Sequence, residues 1–480
     1  MDWQVGISLV VIIFSCLLWL GKKRRQTSYD SIGKDAKIPS GTNGLPLLGE
    51  TLEFMASNYT TTHVSFLRKR RSLYGKVFRS NVLGRPIIMS TDPEVNKIVL
   101  QDDGRTFVPS YPRTVVEVMG ETSILSMTGD EHKKYHGFVA KFLKAVPLME
   151  RVAKEIEQSM ELASRRWKDK PQIYFQDEIN QITFEILVRM LLGIDPGKEM
   201  DLIRTEFYEL IKAIICIPVK FPGTTLYKSV KSREKMVELI KEIIRYKVEK
   251  GEYRALSSFV DVLIDEFLDA SDQKTIEFIC GAIIEMMIPG QDSVPMTTTL
   301  AIKYLTDYPA AIKKLREENM ELKRKKIQSG EPYTWSEYTS LPFTLNVINE
   351  TLRMANIVNA VWRRCLKDVE IKGYLIPKGW CIMTSFSYVH MDEEIYEDPF
   401  KFNPWRWEGK GQLNQNNFTP FGGGQRLCPG YHLAKMEIAV ILHHFITSFS
   451  WVEAEPDTVT TFPRVRMKKK FPVIVSPISD

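Results

Sequence analysis

A mainly α-helical fold with small β-sheets is what this sequence predicts, on three observations. Long segments such as LMERVAKEIEQSMELASRRW and SREKMVELIKEIIRYKVEK repeat apolar residues at spacings of three and four, with charges between them; that is the period of one helix face. Short β-branched runs bounded by turn residues occur early, in KVFRSNV and PIIMST around Leu83-Gly84-Arg85, and late, in DVEIKGYLIPKGWCIM and KKFPVIVS. No internal repeat or low-complexity run divides the chain between Pro39 and Asp480, so 39–480 is expected to form one large domain.

In chain order, the sequence begins MDWQVGISLVVIIFSCLLWL, uncharged from Val5 to Leu20, and continues with Lys22, Lys23, Arg24 and Arg25. With its flanks this run reaches the roughly 20 residues that cross a bilayer core. A cleaved signal peptide would carry its basic residues before the apolar run. Residues 1–21 are therefore expected to be a membrane anchor, with the next domain on the cytoplasmic side by the positive-inside rule; a buried core helix is the competing reading. Residues 22–38 read as a basic and polar linker. Pro39, Gly41, Gly44, Pro46 and Gly49 then punctuate a stretch too turn-rich for helix. The hairpin, the helical middle and the late strands follow.

The totals exclude several classes. Lys and Arg number 65 against 59 Asp and Glu, a net charge of +6 that is too mild for a nucleic-acid binder. Hydrophobic residues make up 44%, enough for a substantial core. Six cysteines (Cys16, Cys216, Cys280, Cys365, Cys381 and Cys428) are scattered without a CxxC or a close cysteine–histidine grouping. That argues against a zinc finger or a disulfide framework. The triplets Asn58-Tyr-Thr60 and Asn417-Phe-Thr419 fit the glycosylation pattern, but a cytoplasmic domain would leave both unmodified.

The most informative stretch is FGGGQRLCPG, Phe421 to Gly430. It lacks the Lys-Ser or Lys-Thr pair of a phosphate loop and the spacing of a dinucleotide fingerprint. Cys428 precedes an amphipathic segment from Tyr431 to about Ser450, and a helix start there would favour a thiolate. A thiolate of this kind suits an axial ligand to haem iron. For the loop alone, an inert buried cysteine is the stronger alternative.

The loop does not stand alone. FGGGQRLCPG resembles the haem-binding signature of cytochromes P450, with Phe421, Gly424, Arg426, Cys428 and Gly430 in register. EMMIPGQDSVP resembles that family's oxygen-binding groove, Glu350-Thr-Leu-Arg353 its Glu-x-x-Arg pair, and FNPWRW its arginine segment, with Arg406 closing a triad. These motifs occur in the family's order across roughly residues 39 to 476. The resemblance implies a P450 fold and haem b, with 39–480 as a haem-thiolate monooxygenase domain. It also implies Cys428 as iron ligand, and Arg426, Arg363, His132 and His136 as contacts of the haem carboxylates. A metal site at the His132–His136 pair is the competing reading, without a third ligand to support it.

Physical reasons accompany each part. Glu350 and Arg353 lie one helical turn apart and with Arg406 can form a paired charge network. Pro289 and Pro295 interrupt a helical hydrogen-bond ladder, and Gly290 removes a side chain, so a kink and a pocket are expected there. Asp292 and Ser293 supply an acid and an alcohol for proton delivery; the commoner family pattern has threonine at the second position. Thr297 is the weaker candidate, its hydroxyl being expected to bond back to its own helix. His443 and His444 are expected at the core edge without a catalytic role.

FVPSYPRTVVEVMGETSIL, PGQDSVP, DVEIKGYLIPKGW and FGGGQRLCPG further resemble plant microsomal P450s that hydroxylate the sterol side chain in brassinosteroid biosynthesis. Enzymes oxidising cholesterol for saponins or alkaloids belong to the same reading. The resemblance implies a lipophilic sterol substrate, electrons from NADPH through cytochrome P450 reductase, and the endoplasmic reticulum membrane as location. Lys133, Lys134, Lys141 and Lys435 are candidates for a basic reductase-facing surface. Val115, Val118, Ile284, Met287, Val358, Ala360 and Val361 are candidates for an apolar substrate lining. Asn359 lies in the same run and is expected to serve the backbone. The alternatives are a P450 acting on triterpenes or diterpenes, a P450-fold isomerase or dehydratase that does not use oxygen, and a non-catalytic haem- or steroid-binding protein.

Overall fold

The structure is a computed structural model that describes residues 36–45, 48–57, 64–82, 84–120, 123–214, 216–267, 273–409, 416–461 and 464–478. The expected anchor 1–21, most of the linker 22–38, and Asn58 with Thr60 lie outside the described residues. Among the described residues no helix is long and apolar enough to cross a membrane.

Helices dominate. The segment Val146–Trp167 buries Leu148, Met149, Val152, Ala153, Ile156, Met160, Ala163 and Trp167, the three-and-four spacing of a single apolar stripe. That stripe packs on the helix Tyr431–Ser448, hereafter the cysteine helix. The central helix, Gln273–Thr306, packs along Phe175–Leu192. Gly290 makes the close approach possible, since a Cβ there would lie 2.9 Å from Leu187 Cδ1.

The expected interruption of the central helix is milder than the sequence suggests. The helix continues through both Pro289 and Pro295. Hydroxyls of Ser293, Thr297, Thr298 and Thr299 donate to the carbonyls of Pro289, Ser293, Val294 and Pro295, four residues back in each case. Such bonding back to the helix is compatible with bending but not with a break.

The largest sheet has five strands in the order β1-β2-β8-β5-β3. Strands β1 (Val77–Val82) and β2 (Arg85–Ser90) form the expected hairpin, with Val77 opposite Ser90. Strand β3 is Phe107–Pro109, β5 is Ala360–Cys365, and β8 (Cys381–Ser385) pairs parallel to β2. A hairpin of β6 (Val369–Ile371) and β7 (Tyr374–Ile376) stands apart. Strands β4 (Ile173–Tyr174), β12 (Pro472–Pro477) and β9 (Phe449–Glu453) make a three-stranded sheet, and β10 (Val459–Thr460) pairs with β11 (Arg466–Met467).

Polar networks cross the helical core. Tyr338 donates to Glu157 Oε1 at 2.6 Å and lies 3.1 Å from His444 Nε2. His443 Nδ1 lies 2.9 Å from Asn319 Oδ1, and Asn319 Nδ2 donates to Thr344 at 2.9 Å. His443 and His444 thus knit helices together inside the core.

Burial pushes His390 down to about 3 and His132 and His444 down to about 4, with His443 shifted the same way. Each takes up a proton near pH 6.5 in the unfolded chain but not in the native one. Their stabilising contribution is therefore complete above pH 6.5 and drains away as pH falls towards 3 to 4. The melting temperature followed by circular dichroism should decline steadily below pH 6.5; a flat profile down to pH 4.5 would remove this account.

Candidate active site

The cysteine loop is built on backbone that only glycine provides cheaply. Gly422 and Gly424 have φ of +76° and +66°. A Cβ on Gly424 would sit 2.1 Å from the Leu100 carbonyl oxygen, because the helix Pro93–Gln101 presses directly on the loop. That helix starts firmly, with Asp92 accepting from the amides of Glu94 and Val95. Within the loop, Gly422 N–H donates to Thr419 O and Cys428 N–H to Phe421 O, both at 3.0 Å. The Phe421 ring faces Tyr431 at 6.0 Å. An open cleft of about 900 Å³ runs along the loop, bounded by Leu100, Phe421, Leu427, Tyr431 and Lys435 among others.

Cys428 stands two residues before Gly430, the N-cap of the cysteine helix. The expectation that this position favours a thiolate needs correction. Burial pushes the Cys428 thiol up, and the Gly430 amide opposes that only in part. The thiolate form needs a bound cation to be favoured here, since a coordinating thiol is deprotonated by its metal. The five described cysteines, Cys428 included, are all free.

Behind the loop lies a closed charge network. Glu350 and Arg353, on the helix Pro342–Ala355, both have fully buried side chains. Arg353 Nε and Nη2 donate to Glu350 Oε2 and Oε1 at 2.9 and 2.8 Å. Arg406 Nε reaches Oε1 at 3.3 Å, Trp407 Nε1 reaches Oε2 at 3.1 Å, and the Asn403 amide reaches Oε1 at 2.9 Å. The remaining guanidinium donors go to carbonyls: His390 and Pro399 for Arg353, Glu397 and Asp398 for Arg406.

The structure gathers Arg426, Arg363 and His132, and adds an acid that sequence reasoning missed. Asp103 Oδ2 accepts from Arg426 Nε at 2.8 Å, and its Oδ1 faces Arg363 Nε at 3.4 Å without a hydrogen bond. Arg426 spends its other donors on the carbonyls of Ile124, Leu125 and Met127. The amides of Ile124 and Leu125 are held from the opposite side by Glu285 of the central helix, at 2.8 and 2.9 Å. His132 is buried and kept neutral by burial and by the nearby arginine charges. His136 donates to the Leu427 carbonyl at 2.8 Å, the neutral carbonyl fixing that Nε2 as the protonated one. Arg426 and His136 are thus engaged with the chain itself, whereas buried Arg363 Nε, ion-paired with Asp103, makes no hydrogen bond among the described residues.

On the central helix, Asp292 is ion-paired with Arg464, from the turn between β10 and β11, and both side chains are nearly half exposed (46% and 45%). Its neighbour Gln291 donates to Tyr208 at 2.9 Å. Ser293 donates its hydroxyl to Pro289 O at 2.8 Å, the same bonding back that Thr297 shows. The apolar candidates differ in burial. Val115, Val118, Ile284 and Met287 are buried, Ala360 and Val361 are half-buried on β5, and Val358 is 52% exposed. The Asn359 carbonyl accepts from the amides of Phe386 and Ser387. Lys133, Lys134 and Lys141 are exposed, whereas Lys435 donates to Asn349 Oδ1 at 2.9 Å and is not free.

Asp103, Glu285, Trp407 and Arg464 act through tertiary neighbours, and no spacing in the sequence marks them. The tandem acids of QDDGR, ahead of a glycine, were the one available hint for Asp103.

Gly424→Ala should lower the melting temperature markedly, because it combines left-handed strain with a backbone collision that only movement of the Pro93–Gln101 helix can relieve. An unchanged value would contradict the close packing. Glu350→Gln leaves two buried arginines short of a counter-charge and should cost about 3 to 5 kcal/mol in denaturant unfolding. A loss near that of an exposed ion pair would show that the network is not closed.

A family profile described as "Cytochrome P450" matches residues 39–474. The chain is 48% identical to a protein of Arabidopsis thaliana named 3-epi-6-deoxocathasterone 23-monooxygenase CYP90C1, over 100% of this chain and 94% of that one. It is 35% identical to a steroid (22S)-hydroxylase of Oryza sativa subsp. japonica, over 93% and 89% of the two chains. The fold superposes on a retinoic acid-bound cyanobacterial CYP120A1 with a TM-score of 0.79 at 20% identity, covering 92% and 100%. With its cysteine loop, its Glu350–Arg353–Arg406 network and this full-length similarity, the chain belongs to the cytochrome P450 family.

Proposed function

We propose that this P450 hydroxylates the side chain of a steroid, with electrons drawn from NADPH through a reductase. The full-length similarity to a steroid 23-monooxygenase at 48% identity carries the reading. A second 23-monooxygenase of Arabidopsis thaliana, at 43% over 95% of the chain, points to the same end of the substrate.

The residues present fit haem. A free cysteine sits in a glycine-built loop, and a buried neutral histidine lies beside two arginines balanced by only one shared aspartate. Arg363 Nε is buried, faces Asp103 at 3.4 Å, and has no hydrogen-bond partner among the described residues. This is a donor set for a carboxylate-bearing, iron-centred ring. Cys428 would ligate the iron, Arg363 and His132 would donate to the carboxylates, and Gly424 and Phe421 would form the loop that lets the ring approach. Arg426 and His136 take a supporting part, holding the Ile124–Met127 carbonyls and Leu427. When bound, thiolate-ligated haem supplies oxygen binding and reduction, the thiolate favouring O–O cleavage.

The chain's own part is to move protons and hold substrate. Asp292 supplies the acid, and Ser293 the alcohol, on one turn of the central helix. The Asp292–Arg464 pair is half exposed and so costs little to open, of order 1 kcal/mol or less. The carboxylate can then turn from arginine to a water chain. Ile284 and Met287 belong to the same helix and would give the apolar face that a steroid needs.

Residues 1–21 complete the reading as an anchor in the endoplasmic reticulum membrane, supported by the uncharged run to Leu20 and the cluster Lys22–Arg25. Residues 22–38 then form the linker and 39–480 the cytosolic domain. The exposed Lys133, Lys134 and Lys141 suit an acidic reductase surface.

Microsomes carrying the full chain and a plant reductase should convert 3-epi-6-deoxocathasterone, in the presence of NADPH and oxygen, to a product with one new side-chain hydroxyl. Oxygen-independent turnover, or oxidation confined to the ring system, would overturn the proposal. Asp292→Asn should lower turnover roughly a hundredfold, with steroid affinity little changed. An equal loss in affinity would place Asp292 in substrate binding instead.

A further inference from the structure

The charge network around Glu350 and the cysteine loop are separate pieces of chain, and the loop's position depends on what joins them. His390, buried at the end of the short helix Phe386–His390, touches both. Its Nδ1 lies 2.8 Å from Asn356 Oδ1, and its Nε2 receives the Thr419 N–H at 3.0 Å. Thr419 stands two residues before Phe421, at the entrance to the loop.

These partners fix the tautomer. A backbone amide can only donate, so Nε2 is unprotonated and the ring proton sits on Nδ1. Asn356 agrees with that assignment, because its Nδ2 gives a hydrogen bond to the Arg353 carbonyl at 3.0 Å, leaving Oδ1 to accept. Asn356 is the left-handed residue, φ 44°, that closes the Glu350–Arg353 helix. Arg353 Nη1 in turn donates to the His390 carbonyl at 2.8 Å. On the loop side, the Thr419 carbonyl accepts from Gly422. The neighbouring Phe418 ring lies 5.6 Å from His390 and 4.5 Å from Trp407, which itself bonds Glu350.

We infer that His390 is a positioning residue, whose imidazole, protonated on Nδ1 alone, pins the start of the cysteine loop to the Glu350–Arg353 helix and so sets where Cys428 stands. Few side chains could replace it. Lysine and arginine have no acceptor, asparagine reaches only the Asn356 side, and glutamine only the Thr419 side. The consequence for the iron rests on the reading of Cys428 as its ligand; the pinning itself does not.

The test uses the full-length, haem-loaded protein and two variants that separate the arms. His390→Asn keeps a donor near the Nδ1 position and loses the acceptor for Thr419. His390→Gln keeps an acceptor near Nε2 and gives up the Asn356 bond. Hydrogen exchange at the Thr419 amide should quicken about tenfold in His390→Asn, as one lost buried hydrogen bond requires, and should stay near the wild-type rate in His390→Gln. The reduced carbon monoxide spectrum should lose its red-shifted thiolate band on acidification at a higher pH in His390→Asn, with His390→Gln restoring wild-type behaviour. Equal exchange and equal spectra in the two variants would overturn the inference. So would an unprotected Thr419 amide in the wild-type protein, a measurement that stands even if His390→Asn fails to fold. A wild-type protein lacking the thiolate band would refute the haem reading instead, and the exchange rates would still decide the role of His390.

Discussion

One carboxylate carries the site. Glu350 is fully buried and accepts from Arg353, Arg406, Trp407 and the Asn403 amide. A charge so placed is tolerable only when every lone pair is met, and removing one partner strands the others in a low-dielectric interior. The network therefore behaves as a closed unit. Its arginines also hold the carbonyls of His390, Glu397, Asp398 and Pro399, so the chain from His390 to Pro399 is tied to a single helix. A long stretch with little regular structure is fixed by charge where it lacks the ladder of a sheet.

A different balance governs the arginines beside the loop. Arg426 and Arg363 share one aspartate in a buried place, with the Glu285 carboxyl close enough to feel Arg426. Asp103 reduces the cost of two adjacent buried cations; Arg363 donates from Nη1 to the Trp362 carbonyl at 3.2 Å, and its Nε makes no hydrogen bond among the described residues. The chain segment from Ser123 to Met127 is fixed by the same cluster. Arg426 takes its carbonyls and Glu285 its amides, so the segment bridges two charged groups of opposite sign. Burial raises the Glu285 carboxyl above its usual range, and the amide bonds pull it back in part. The entrance to the helix Gly129–Leu143, with His132 and His136, is thereby registered against both the central helix and the cysteine loop.

How much of this was legible depends on the kind of information each residue carries. The triad and the cysteine loop could be read because their segments resemble the family's motifs in order along the chain; a shared helix face for Glu350 and Arg353, or glycines beside Cys428, was not enough alone. The helix assignments followed from apolar spacing, as Val146–Trp167 shows. Asp103 and Arg426 are 323 residues apart, and nothing local to QDDGR says which charge it will meet. His390 is equally silent, since an isolated histidine after a strand reads as core filler. The helix-terminus argument for Cys428 failed for a related reason: it counted the favourable amides and not the desolvation that accompanies them, and desolvation wins. Val358 is more than half exposed, and an apolar residue in a loop has no periodicity to indicate its face.

The two carboxylates named by motif are held in opposite ways, and the difference suits the framing role of Glu350 and the proton delivery proposed for Asp292. Glu350 is fixed by five donors inside the protein, and breaking such a set costs several kcal/mol. Asp292 has one ion-pair partner, Arg464, in a setting almost half exposed, where a pair is worth about 1 kcal/mol or less. A framing residue has to be unable to move, whereas a proton-delivering residue has to be able to change partners within each turnover. The same helix that carries Asp292 carries Glu285, pinned by two amides seven residues earlier. The central helix thus carries a carboxyl bonded to the Ser123–Met127 segment and, about two turns on, one in an exposed ion pair, with Gly290 between them packed against Leu187.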